Sequence, residues 1–208
     1  YIKLQVPDER QDSLVTRTYT VRNYRENLNE LDVDFFLHGD GGPASAWASR
    51  AQPGDEIAVA GPGGKKLLDF SADWFVLAGD MTALPAISVN IEQLPDRAVG
   101  YAVIEIIHES DIQELQTPEA FEIHWVINPT PEKENTLLLD KVMQLPWLEG
   151  NPSIWAACEF SSMRALRRYF KQDKNVAKKS VYVSSYWKCG LSEEQHKKVK
   201  RTDAETAG

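Results

Sequence analysis

Two stretches near the start of the chain carry residue types suited to ligand chemistry. They are Arg17-Thr18-Tyr19-Thr20-Val21-Arg22 and His38-Gly39-Asp40-Gly41-Gly42-Pro43-Ala44-Ser45-Ala46-Trp47. The first alternates like a strand, with Arg17, Tyr19 and Val21 on one face and Thr18, Thr20 and Arg22 on the other. Arg17 suits a phosphate, Tyr19 a flat ring and Thr20 a ring nitrogen. The second is a glycine-rich bend followed by small residues that can open a helix. Its backbone lets a phosphate approach closely, and the free N–H groups of a helix start favour an anion. Together they suit a ligand with a flat ring and a pyrophosphate. The loop lacks the Lys-Ser/Thr ending of a nucleotide P-loop, which disfavours ATP hydrolysis. His38, His108, His124 and His196 show no metal-ligand spacing, so no metal site is expected.

Three later stretches place polar groups where a strand gives way to a turn. Gly79-Asp80-Met81-Thr82-Ala83-Leu84-Pro85 follows an apolar run and opens a helix. Trp155-Ala156-Ala157-Cys158-Glu159-Phe160-Ser161 repeats that arrangement. Tyr186-Trp187-Lys188-Cys189-Gly190 reads equally as an aromatic lid or as an ordinary hydrophobic end. In a parallel sheet, such carboxyl-end turns are where ligands bind.

The elements that must position these groups fall into two sets. Strands are expected over 1–6, 16–22, 33–37 and 56–60, split by turn residues, which implies an antiparallel barrel. Beyond residues 65–73 the pattern changes to strand–helix alternation. Strands are expected over 74–78, 99–107, 124–127, 153–157 and 180–184, and helices over 83–93, 135–142 and 161–172. A charged helix from residue 192 is expected to fray by 202. This alternation implies a doubly wound parallel sheet. The domain expectation is therefore 1–68 for the barrel and 69–208 for the α/β domain with its tail.

The 208 residues carry a formal net charge of -8 and are 42% hydrophobic, an ordinary globular composition that disfavours a nucleic-acid binder. No apolar run reaches membrane-spanning length, and the opening residues lack a signal-peptide pattern. Cys158 and Cys189 read as reduced thiols of a cytoplasmic protein, and two cysteines cannot hold an iron–sulfur cluster by the usual four thiolates. Electrons handled by this chain would leave it for a separate acceptor.

The motifs resemble the siderophore-interacting protein family, flavin-dependent ferric-siderophore reductases of the ferredoxin-reductase superfamily. The resemblance rests on residues 17–22, 34–39, 42–48, 53–55, 79–87, 155–159 and 186–188, in that order. It implies an FAD-binding barrel, whose first strands are missing from this chain, followed by an NAD(P)H-binding α/β domain. It places Arg17, Tyr19, Thr20, His38, Gly42, Pro43, Ala44, Ser45, Thr82 and Ala83 at FAD. It places Ala157, Cys158 and Glu159 on the nicotinamide side. Met81 and Cys158 depart from the family's usual acidic residue and glycine. Lys3 and Lys188 are the candidates for an anionic ferric siderophore, with Lys200 and Arg201 behind them. The implied activity is hydride transfer from NADH or NADPH to FAD, then reduction of siderophore-bound Fe(III), in a cytoplasmic monomer. The alternatives are an FAD- and siderophore-binding module reduced by ferredoxin, and a general flavin reductase with another acceptor.

Overall fold

The protein is described as a computed structural model covering residues 1–8, 10–37 and 42–206. Its chain divides into two compact units, Tyr1–Lys66 and Leu67–Gly208.

In the first unit, β1 (Ile2–Asp8) pairs antiparallel with β2 (Ser13–Tyr19) on one side and β5 (Ala58–Ala60) on the other. Among the described residues this is an open three-stranded antiparallel sheet. β1 alternates strictly: Ile2, Leu4 and Val6 are buried, while Lys3 and Pro7 are exposed. The buried three pack with Ala44 of α1 (Pro43–Ala48) and with Val15, Tyr19, Phe35 and Trp47.

Three expectations change here. The second strand ends at Tyr19, so Thr20, Val21 and Arg22 lie outside it. Residues 33–37 form no strand. Phe35 instead packs its ring 4.5 Å from that of Tyr19 and 6.0 Å from that of Trp47. Val33 packs beside it against the same core, and Leu37 is left 56% exposed. A hairpin of β3 (Asn23–Arg25) and β4 (Glu30–Asp32) stands where no strand is expected. Its cross-strand glue is ionic: Arg25 donates to both carboxylate oxygens of Asp32 at 2.7 and 2.6 Å. Its tight turn puts Asn29 at φ +53, a conformation asparagine tolerates.

The second unit is a five-stranded parallel sheet in the order β10-β9-β6-β7-β8. Its strands are β6 (Trp74–Asp80), β7 (Gly100–Ile106), β8 (Phe121–Ile127), β9 (Pro152–Glu159) and β10 (Val181–Trp187). β6 shows why such strands are continuous apolar runs. Trp74, Val76 and Ala78 face one core, while Phe75 and Leu77 face the other. α2 (Leu84–Ile91) covers the second core; α3 (Leu137–Gln144) and α4 (Phe160–Arg168) cover the first. The helix expected over 161–172 leaves α-geometry after Arg168 and finishes as a π turn, Tyr169–Asp173, which buries Tyr169 and Phe170. The tail does not stop at 202, because α5 runs from Glu193 to Thr206. The described residues contain no helix long and apolar enough to cross a membrane.

Candidate functional site

In the first unit, the register of β1 and β2 sets the faces. Tyr19 stands opposite Ile2 and Arg17 opposite Leu4, so both lie on the face that carries the small core. Lys3 stands opposite Thr18, on the other face, and is exposed. The sheet therefore separates Lys3 from Arg17 and Tyr19. The Tyr19–Phe35–Trp47 ring series joins the strand motif to α1, bringing the two motifs of the sequence to one region. α1 begins at Gly42 with Pro43 in its first turn and no side-chain cap. His38 and the glycines at 39 and 41 lie outside the described residues. A glycine-led helix joined by a series of rings to the strand that bears Arg17 and Tyr19 suits a pyrophosphate-bearing flat-ringed group.

In the second unit, the carboxyl ends of β6, β7 and β9 bring Asp80, Glu105 and Glu159 to one sheet edge. Asp80 is the hub. Its Oδ1 accepts from the Thr82 N–H at 3.0 Å and the Thr82 hydroxyl at 2.5 Å. Its Oδ2 accepts from the Glu159 N–H at 2.9 Å and from Trp187 Nε1 at 2.8 Å. One carboxylate thus ties the ends of β6, β9 and β10. Burial pushes its pKa above the ordinary carboxylate value, and the four donors oppose that shift. Glu105, registered opposite Asp80, is raised by burial too, with Asn128 donating to it at 2.8 Å. Glu159 caps α4, accepting from the N–H groups of Ser161 and Ser162 on one oxygen. Its other oxygen accepts from the Cys189 N–H at 3.2 Å. A shallow cleft opens here, lined by Asp80, Glu105, Glu159, Ser161, Lys133 and Cys189.

Gly79 makes this edge possible. A Cβ there would stand 2.5 Å from the Ala157 carbonyl and 2.9 Å from Ala83 Cβ. The glycine before Asp80 lets the first turn of α2 close onto β9.

The sequence-expected residues fall into three groups here. Thr82 and Glu159 stand at the edge, but both are engaged in holding turns. The side chains of Ala83, Ala157 and Cys158 are fully buried, and the Ala83 N–H is spent on the Asp80 carbonyl at 2.9 Å. Burial also raises the Cys158 thiol pKa well above its ordinary value, so the departure at this position is a packed, unreactive sulfur. Lys188 lies with its ammonium 4.5 Å from the Phe160 ring centre. The segment 186–190 begins as strand, since Tyr186 and Trp187 end β10 with Trp187 pinned to Asp80, and then turns at residues 189 and 190. The hub role of Asp80 was not foreseen. Its signal was available: Asp80 and Thr82 have the spacing of an Asx turn directly after a buried strand. The Asp80–Trp187 bond spans 107 residues and leaves no local trace.

An antiparallel sheet unit followed by a doubly wound parallel unit is the architecture of ferredoxin-reductase-like oxidoreductases. Comparison with known proteins is more specific. Residues 2–66 match the siderophore-interacting FAD-binding domain, and residues 72–190 match the siderophore-interacting protein domain. The chain belongs to the siderophore-interacting protein family. It is 39% identical over 184 residues to the ferric vibriobactin reductase ViuB of Vibrio cholerae, covering 88% of this chain and 68% of that protein. It is 31% identical over 175 residues to the NADPH-dependent ferric-chelate reductase of Escherichia coli, covering 83% of this chain and 66% of that one. The crystal structure of the siderophore-interacting protein SipS from Aeromonas hydrophila superposes with a TM-score of 0.86 at 31% identity, covering 98% of this chain and 84% of SipS.

Proposed function

We propose that this chain is an FAD-dependent ferric-siderophore reductase that takes its electrons from NADH or NADPH and acts in the cytoplasm. The observation that carries the reading is the Tyr19–Phe35–Trp47 ring series, which joins the strand bearing Arg17 to α1. It falls inside the segment that matches an FAD-binding domain.

Each residue has a stated part. Arg17 neutralises a phosphate of FAD with a planar, permanently charged fork. Gly42, Pro43, Ala44 and Ser45 present the helix start to the pyrophosphate. Tyr19 offers its half-buried ring to the isoalloxazine, and Thr20 its hydroxyl. Thr82 and Ala83 keep a role beside the flavin on the resemblance alone, as His38 does at the pyrophosphate. When bound, FAD supplies the conversion of a two-electron hydride into the single electrons that Fe(III) accepts. On the second unit, Asp80 orders three strand ends, and Glu159 holds the start of α4. Ala157 and Cys158 supply a packed floor rather than reactive groups, consistent with free thiols in a reducing compartment. Of the cations proposed for the siderophore, Lys188 keeps its place beside this edge, while Lys3 lies across the sheet from the Arg17 face.

The test is FAD binding, read by the flavin bands and by fluorescence titration. The wild-type chain is expected to bind FAD and to be bleached by NADH or NADPH. Arg17→Ala should weaken FAD binding by about tenfold to a hundredfold, the worth of a charge-assisted hydrogen bond of about 1.5–3 kcal/mol. No flavin bands and no uptake of added FAD by the wild type would overturn the reading.

A further inference from the structure

β7 reads Gly100-Tyr101-Ala102-Val103-Ile104-Glu105-Ile106, an apolar run with one carboxylate in it. The strand is buried along its whole length, and Glu105 is 8% exposed. A carboxyl group so placed costs stability unless its oxygens are paired. Only one of them is. Oε1 accepts from Asn128 at 2.8 Å, whereas Oε2 has no hydrogen-bond partner among the described residues. Nor is the group sealed in, since Glu105 lines the cleft at the carboxyl ends of β6, β7 and β9.

Asn128 holds the carboxylate in that attitude. It is itself buried; its N–H donates to the Ile106 carbonyl at 2.7 Å, and its Oδ1 accepts from the Thr130 N–H at 3.1 Å. Its amide NH2 is thereby turned to Glu105. A buried asparagine thus spends its side chain on aiming a carboxylate whose other oxygen borders an opening. The fold makes no use of that oxygen, whereas a ligand with a hydroxyl donor would satisfy it.

The cleft also limits what that ligand can be. Asp80, Glu105, Glu134 and Glu159 line it, with Lys133 as its one cation among the described residues. Burial raises the Glu105 pKa first, Asn128 opposes, and the charges of Asp80 and Glu159 raise it again. A second anion brought against Glu105 meets that same field, while a neutral diol does not. β7 follows β6 in the chain and lies beside it in the sheet. In doubly wound dinucleotide-binding folds, a carboxylate about 20 residues beyond the first strand–helix turn accepts from the adenosine ribose. Glu105 stands at such a place, with Asp80-Met81-Thr82 as the first turn in place of a glycine fingerprint.

We propose that Glu105 is the specificity-determining residue for the electron donor: it accepts from the hydroxyls of an unphosphorylated adenosine ribose and rejects a ribose that bears a 2′-phosphate. The chain therefore uses NADH in preference to NADPH. This rests on the flavin-reductase reading above and narrows its donor. It also sets this chain apart from the NADPH-dependent relative of Escherichia coli. Specificity of this kind comes from repulsion of the wrong ligand as much as from the bond to the right one. Asn128 is a positioning residue that acts through Glu105.

The probes are 5′-AMP and adenosine 2′,5′-bisphosphate, which differ only in the 2′-phosphate. Each is titrated by ligand-observed NMR into the full chain, with and without added FAD. The wild type is expected to bind 5′-AMP about tenfold more tightly, and kcat/KM should favour NADH over NADPH in the same sense. Glu105→Gln keeps the acceptor for Asn128 and removes the charge, so it should bring the two affinities within about threefold of each other. Lys133→Ala should leave the wild-type ratio unchanged. Lost packing at Glu105 would weaken both probes alike, so the ratio separates specificity from structure. Tighter binding of the bisphosphate by the wild type would overturn the proposal. So would an unchanged ratio in Glu105→Gln, a ratio that follows Lys133, or no binding of either probe by the wild type. Absence of flavin uptake would instead sink the flavin-reductase reading, since the probes report on the second unit whether or not flavin is bound.

Discussion

Asp80 and Glu159 do at residue scale what a longer loop would do in another fold. Each gathers N–H groups from segments far apart in sequence and fixes them within one hydrogen-bond length. Asp80→Asn puts an amide NH2 where one oxygen now accepts two donors. That leaves at least two donors facing a donor, a cost of about 1–3 kcal/mol for each buried group left unpaired. The expected outcome is a lower denaturant midpoint together with loss of the Trp187 fluorescence environment; an unchanged midpoint would contradict the hub role. The sequence carried part of this site openly. Gly79, Asp80 and Thr82 lie within four residues, so a strand-to-turn motif was legible. The partners of Asp80 at Glu159 and Trp187 were not, because nothing local couples residues 79 and 107 positions away. The same reason hid Phe35, whose apolar run predicts a strand but whose ring is drawn between Tyr19 and Trp47.

At the scale of elements, α5 is attached by polar contacts rather than by an apolar stripe. His196 is 4% exposed and lies 2.8 Å from the Ser185 hydroxyl through Nε2. Lys200 donates to the Ser184 hydroxyl and the Ser185 carbonyl, both at 2.7 Å. Asp203 accepts two bonds from Arg167. The His196 pKa is lowered, first by burial, then by Lys200, with Lys188 and Lys197 adding to the depression and Glu159 opposing it. The unfolded chain therefore binds that proton more readily than the native one. Stability is present above the unfolded value of about 6.5 and declines as pH falls through it towards the folded value. One such proton contributes a slope of up to about 1.4 kcal/mol per pH unit. Melts between pH 7.5 and 5.5 are expected to show a steeper loss in the wild type than in His196→Gln; parallel curves would show that this histidine does not resist protonation. The elements themselves were mostly readable, since the buried strands are continuous apolar runs bounded by turn residues. Where the reading slipped, the cause was tertiary. α5 extends past residue 202 because Asp203 is held by Arg167, and the hairpin of β3 and β4 exists because Arg25 meets Asp32 across it.

At the scale of the whole molecule, each unit has its own core, and the sulfur atoms belong entirely to the second. The shift from clustered strands to strand–helix alternation was visible along the chain, because burial on one face and burial on two faces leave different hydrophobic rhythms. The two cysteines differ sharply in burial. Cys158 is sealed at 0% exposure, whereas Cys189 is half-exposed at the rim of the cleft, its thiol 2.7 Å from the Glu132 carbonyl. A thiol reagent should therefore modify one sulfur per native molecule quickly and the second only after unfolding; two equally fast equivalents would show the interior open. The natural sequence thus supplies, without engineering, a single attachment point for a fluorophore or spin label, seated where the ends of three strands converge.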